Sequence, residues 1–227
     1  MSFDVICSNC GAPSSPAAGI CPFCKKVMLG SRKNEPTTAS NIRKYYQEGD
    51  LENALETFDS TIRAKPETEH SFEFLLLGAK ILLESEGPTS RIKSLLGKAL
   101  LLENENPECL DYLELLDARR QLTSQRNDPG EKRIASILRR SPNNVHALFI
   151  MGSHVFWVDK AAPQAIPYLQ KCVAVRPQFQ RAWGCLAVIY ESLGQKQLAH
   201  QAYRKCLDLE KNPSMRSIFE TKMREIQ

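Results

Sequence analysis

Five prolines, Pro66, Pro107, Pro142, Pro177 and Pro213, punctuate the chain at separations of 41, 35, 35 and 36 residues. Each follows a segment of helical apolar periodicity and precedes another, with almost no β-rich runs between them. Proline breaks a helix because it lacks the N–H, and its ring collides with the carbonyl four residues back. Evenly spaced breaks therefore cut the chain into pieces of equal size, each long enough for one helix pair. A lone pair cannot bury its apolar face, so such pieces stack on one another as a repeat array.

The copy between Pro177 and Pro213 is the clearest. It reads Trp183-x2-Leu186-Ala187-x2-Tyr190, then Gly194, Ala199, Tyr203 and Cys206. These offsets match W-x2-L-G-x2-Y … A-x3-F-x2-A, with Ala187 in the slot usually filled by Gly, so the region resembles a tetratricopeptide repeat. Small residues let the paired helices approach, and aromatics fill the gap between repeats. The preceding unit carries Leu148, Met151, Gly152, Val155, Ala165, Leu169 and Cys172, with one extra residue in its inter-helix turn. The first unit shows Ile42, Tyr45, Gly49, Ala54 and Phe58. The second shows Phe74, Leu77, Gly78, Ile81, Ala99 and Leu102, with a longer turn through Gly87-Pro88. The third departs furthest, with Tyr112, Leu113, Leu116, Ile134 and Leu138. Its loop ends Asp128-Pro129-Gly130-Glu131, an N-cap followed by Pro and Glu at helix-starting positions. Pro163 and Pro167 imply that the second helix of the fourth unit starts late or is kinked.

The expected fold is all-α. Residues 39–212 form about five helix pairs, which the resemblance implies wind into a right-handed superhelix. Residues 213–227 read as an amphipathic helix with Met215, Ile218, Phe219 and Met223 on one side, a cap over the last exposed face.

The other strong signal lies in residues 1–29, ahead of a polar, turn-rich linker at 30–38. Cys7-x2-Cys10 and Cys21-x2-Cys24 are separated by ten residues. Two residues between cysteines let a tight knuckle aim two sulfurs at one point. Two knuckles supply four thiolates, which suit tetrahedral Zn2+ with Zn–S distances of about 2.3 Å. Gly11 eases the first knuckle, Pro22 stiffens the second, and Lys25 and Lys26 offset the charge of the centre. A segment this short cannot stay folded on its own core, so metal binding supplies its folding free energy, on the order of 10 kcal/mol. With four thiolates the site is closed, hence structural. A redox pair, a rubredoxin-like iron site and two disulfides are the competing uses of the same residues. The stretch resembles a short zinc ribbon. Cys109, Cys172, Cys185 and Cys206 instead occupy positions for small apolar side chains between packed helices.

Lys and Arg total 30 against 26 Asp and Glu, giving +4, far from the excess of a dedicated nucleic-acid binder. The balance is +2 over residues 1–35, −3 over 36–142 and +5 over 143–227. There is no long apolar run for a membrane span, and the first residues lack a secretory pattern, so a cytoplasmic location is expected. His70, His146, His154 and His200 are dispersed; His146 and His154, two helical turns apart, read as solvated or groove-facing. No phosphate loop or nucleophile–base order supports catalysis.

The resemblance implies a concave wall lined by first helices, with a protein or peptide ligand in it. Candidate contact residues are Tyr46, Phe149, Phe156, Trp157 and Arg181, within wider sets that include Arg43 and Gln47, Leu75, Ala79 and Leu82, Ser153, and Val188 and Glu191. The function expected is a non-enzymatic adaptor or scaffold. Two alternatives stay open: a nucleic-acid-associated regulator using the ribbon and the basic C-terminal third, and a thiol-based redox or metal sensor. The sequence does not set the oligomeric state.

Overall fold

The computed structural model describes residues 5–6, 13–14, 37–64, 71–122 and 129–226. Near the N-terminus, β1 (Val5–Ile6) pairs antiparallel with β2 (Pro13–Ser14), with Val5 opposite Ser14 and Ile6 opposite Pro13. All the other regular elements among the described residues are helices. They form five successive antiparallel pairs: α1 (Thr37–Glu48) with α2 (Leu51–Ala64), α3 (Phe72–Glu84) with α4 (Thr89–Leu102), α5 (Pro107–Gln121) with α6 (Pro129–Arg140), α7 (Val145–Trp157) with α8 (Ala162–Val175), and α9 (Gln180–Ser192) with α10 (Lys196–Leu209). A last helix, α11 (Pro213–Glu225), packs on α10.

The boundaries follow from local chemistry. Ser71, Asn106, Asn144 and Asn212 accept hydrogen bonds from the first free amides of α3, α5, α7 and α11. Pro107 and Pro213 open their helices, where the missing N–H costs nothing. Gly49 and Gly194 close α1 and α9 with φ of 80° and 69°. Beside them, Asp50 N–H reaches Tyr45 O and Gln195 N–H reaches Tyr190 O, the same helix-ending bond in two repeats. In the fourth unit Ala161 N–H reaches one residue further back, to Val155 O, which is the extra residue of that turn. Helix α8, for which a late start or a kink is expected, begins at Ala162 after that extra residue, with Pro163 in its first turn and Pro167 inside it.

Packing is close both between neighbouring pairs and within them. Phe58 is fully buried and stacks on Phe74 at 4.8 Å, and a Cβ on Gly78 would lie 2.1 Å from its ring. Gly152 likewise leaves space for Leu169 in the fourth unit. One apolar core runs from Ile42 to Ile226.

The repeats come round far enough for the first to touch the fourth and fifth. Gly49 abuts Gln178, where an added Cβ would be 3.0 Å from the Gln178 Cβ. Arg176 donates to Glu84 and to the backbone carbonyl of Tyr46, and Lys211 pairs with Asp50. The sequence predicts a curved stack; these contacts join its beginning to its later turns.

Helix α11 covers only part of the exposed end. Met223 and Ile226 are buried and Phe219 packs near Tyr203, whereas Met215 and Ile218 remain exposed. No helix among the described residues is long and apolar enough to cross a membrane.

Candidate functional site

Helix α7 is apolar almost all round because it sits mid-stack. One of its faces (His146, Phe149, Ile150, Ser153, His154 and Trp157) forms a wall of a groove of about 680 Å3. Arg181, Gly184, Cys185 and Val188 of α9 form the adjoining wall. Ile218, Phe219 and Lys222 of α11 and Tyr203 of α10 close it at one end, and Leu83, Arg119 and Leu122 border the other.

At the α3–α5 end two guanidiniums converge on one oxygen. Arg181 and Arg119 donate to Glu86 Oε1 at 2.6 and 3.1 Å. Arg181 also lies 4.7 Å above the Phe149 ring, a cation–π contact that fixes its direction. Phe149 in turn packs against the buried Phe179 at 5.0 Å. One turn further along, Ser153 Oγ donates to Phe149 O at 2.7 Å and lies 3.9 Å from Cys185 Sγ. Trp157, beside Cys185, is 52% exposed, and at the α11 end Lys222 pairs with Glu191 and Glu225.

Two histidines depart from the solvated reading. His146 is buried, edge-on to Tyr112 and Phe179. Burial, assisted by the nearby cations Arg176, Lys80 and Arg181, lowers its pKa to about 3, so the imidazole is neutral at pH 7. His154 lines the groove but is buried, and its Nε2 finds no hydrogen-bond partner among the described residues. Leaving such an atom unpaired costs on the order of 1–3 kcal/mol.

The predicted contact residues fall in three places. Phe149, Trp157 and Arg181 share the groove, together with Ser153 and Val188. Phe156 does not line it: it is half-buried, packed on Trp157 at 4.6 Å and against the core. Tyr46 lies elsewhere, under the Arg176 guanidinium at 3.8 Å, and borders with Gln47 a polar recess of about 560 Å3. Burial raises the Tyr46 hydroxyl pKa, and the Glu84 carboxylate adds to the effect. Leu75, Ala79 and Leu82 are core residues. Cys7, Cys10, Cys21 and Cys24 lie outside the described residues.

The later cysteines sit between helices as expected, three of them fully buried and Cys185 half-buried. Burial pushes the thiols of Cys109 and Cys206 up to about 11 and 12 and raises those of Cys172 and Cys185.

Sequence reasoning missed the reach of α11 into the groove and the Glu84–Arg176 pair. Glu84 did leave a signal, as a lone acid at the end of the apolar run Phe-Leu-Leu-Leu-Gly-Ala-Lys-Ile-Leu-Leu. Arg176 left none, because its partner is 92 residues away.

Residues 180–213 match the tetratricopeptide repeat family model. The chain is similar to the BBSome complex member bbs-4 of Caenorhabditis elegans, 35% identical over 65 residues, which are 27% of this chain and 14% of that protein. It thus spans about a seventh of that relative's length. A tetratricopeptide repeat protein from Parabacteroides merdae superposes with a TM-score of 0.51 at 12% identity, covering 87% of this chain and 72% of that one. A thermophilic tetratricopeptide repeat protein of Thermus thermophilus gives 0.48 at 16% identity, covering 84% and 99%. At 12% identity the likeness to the Parabacteroides merdae protein is one of fold. The body is a helical repeat of the tetratricopeptide type.

Proposed function

We propose that the chain is a non-catalytic protein-interaction module whose groove between α7, α9 and α11 receives a segment of another protein. The observation that carries this is the groove itself: about 680 Å3, mostly apolar, with a half-exposed Trp157 on its wall. Aromatic anchors in apolar clefts are where binding energy concentrates. The neutral, enclosed His146 is poorly set for proton transfer.

The charge distribution favours this over nucleic-acid binding. Four basic residues of the C-terminal third are paired with acids, three of them with acids earlier in the chain: Arg176 with Glu84, Arg181 with Glu86, Lys211 with Asp50, and Lys222 with Glu191 and Glu225. Arg176, enclosed with Glu84, has little left to offer phosphates.

The same proposal assigns one structural zinc ion to Cys7, Cys10, Cys21 and Cys24. Four thiolates in two x2 pairs suit it, and the pairing of Val5–Ile6 with Pro13–Ser14 supports it by bringing together the two sides of the Cys7–Cys10 stretch.

The test is capture of partners by the full chain, compared with a Trp157→Ala, Val188→Asp variant and with Leu101→Glu, which alters an 85%-exposed leucine on α4. Partners lost with the first and kept with the second are expected. The reverse pattern moves the interaction to the outer surface.

A further inference from the structure

We infer that the groove selects an extended peptide segment carrying a carboxylate about three to four residues from a bulky apolar side chain, the carboxylate going to Arg119 and Arg181. This rests on the reading of the groove as an interaction site and specifies its occupant. The two guanidiniums share the single oxygen of Glu86, so two positive charges meet one negative charge at that end. Both arginines remain partly exposed, at 48% and 37% of their side-chain surface, and so are open to a second carboxylate. Contact with Phe149 orients Arg181 before any ligand arrives. Charge-assisted bonds to a preset guanidinium are strong and directional.

The opposite end has the reverse balance. There Lys222 is matched by two carboxylates, Glu191 and Glu225, and Ile218 exposes apolar surface, as Trp157 does beside Cys185. From Phe149 to Trp157 is eight residues of α7, about 12 Å at 1.5 Å per residue. An extended chain crosses that distance in about three to four residues.

The experiment pans a phage-displayed library of random dodecapeptides on the full chain and measures synthetic winners by fluorescence anisotropy. Enrichment of Asp or Glu three to four residues from Trp, Phe or Leu is expected. Replacing that Glu by Gln should weaken binding about tenfold, the effect of one charge-assisted contact. Arg181→Gln should weaken the acidic peptide similarly and abolish its advantage over the Gln version. Arg119→Gln should act the same way, which guards against misfolding of either variant. If winners are lost on Trp157→Ala but are indifferent to the carboxylate and to both arginines, the carboxylate assignment is overturned while the groove stands. If no winner depends on Trp157, the groove reading itself falls, and this inference with it.

Discussion

Arg176 Nε lies 2.8 and 3.0 Å from the two carboxylate oxygens of Glu84, and the same guanidinium donates to Tyr46 O at 2.8 Å. The Glu84 side chain is 2% exposed and that of Arg176 12%. Burial raises the Glu84 pKa and Arg176 opposes the rise. Removing one partner of a buried pair strands the other, at a cost of about 3–5 kcal/mol. Arg176→Met should lower unfolding stability in urea by that order, and adding Glu84→Leu should recover much of the loss. Additive losses in the double variant would show that the pair is not coupled.

His146 should give the protein a pH-dependent stability. Its pKa, lowered to about 3 in the fold, lies below the ordinary 6.5. Unfolding therefore takes up a proton between those values, so this contribution is complete above 6.5 and is lost as pH falls towards 3. The expected slope is about 1.4 kcal/mol per pH unit across the window. Denaturation of wild type and His146→Phe between pH 4 and 7 isolates it: the difference between the two curves should shrink as pH falls. A pH-independent difference would refute the assignment.

Two helical glycines should respond oppositely to alanine. At Gly78 the new Cβ meets the enclosed Phe58 ring at 2.1 Å, and overpacking of that kind costs about 1–3 kcal/mol. At Gly97, exposed on α4, nothing lies within 4 Å, so alanine should gain up to about 1 kcal/mol from helix propensity. Thermal melting of Gly78→Ala and Gly97→Ala should move the midpoint down and up respectively.

The eight cysteines should separate by chemistry. Native mass spectrometry of the full chain should show one zinc, lost on Cys10→Ser or Cys21→Ser. With the metal in place, a thiol reagent at pH 7.5 should leave Cys109, Cys172 and Cys206 unlabelled until denaturation, since each is fully buried and holds its proton. Chelation should release four additional reactive thiols. Rapid labelling of the buried three in the native protein would contradict the packing.

The helix pairs were legible because the signals are local. A small residue opposite a large one, as Gly152 against Leu169, sits at the repeat's fixed offsets, as do the glycine turns at Gly49 and Gly194. Phe149, Trp157 and Arg181 could be placed on one surface for the same reason, since they lie off the packing stripe of first helices. Phe156 could not be separated from its neighbour: adjacent residues lie about 100° apart on a helix, and only the core behind α7 decides which of them turns inward. The histidines line the groove, one of the two places expected for them, but their burial was not legible because their surroundings come from distant units. The basic excess of the last third also reads differently once its acidic partners in α3 and the α1–α2 turn are known.

Contact between the first hairpin and the fourth has a mechanical consequence. An open stack of repeats behaves as a spring, whose pitch any ligand can stretch at small cost. A clasp between Glu84, Tyr46 and Arg176 makes this stack a collar of set bore. The entropic penalty of shaping the socket is then met during folding, before an occupant arrives.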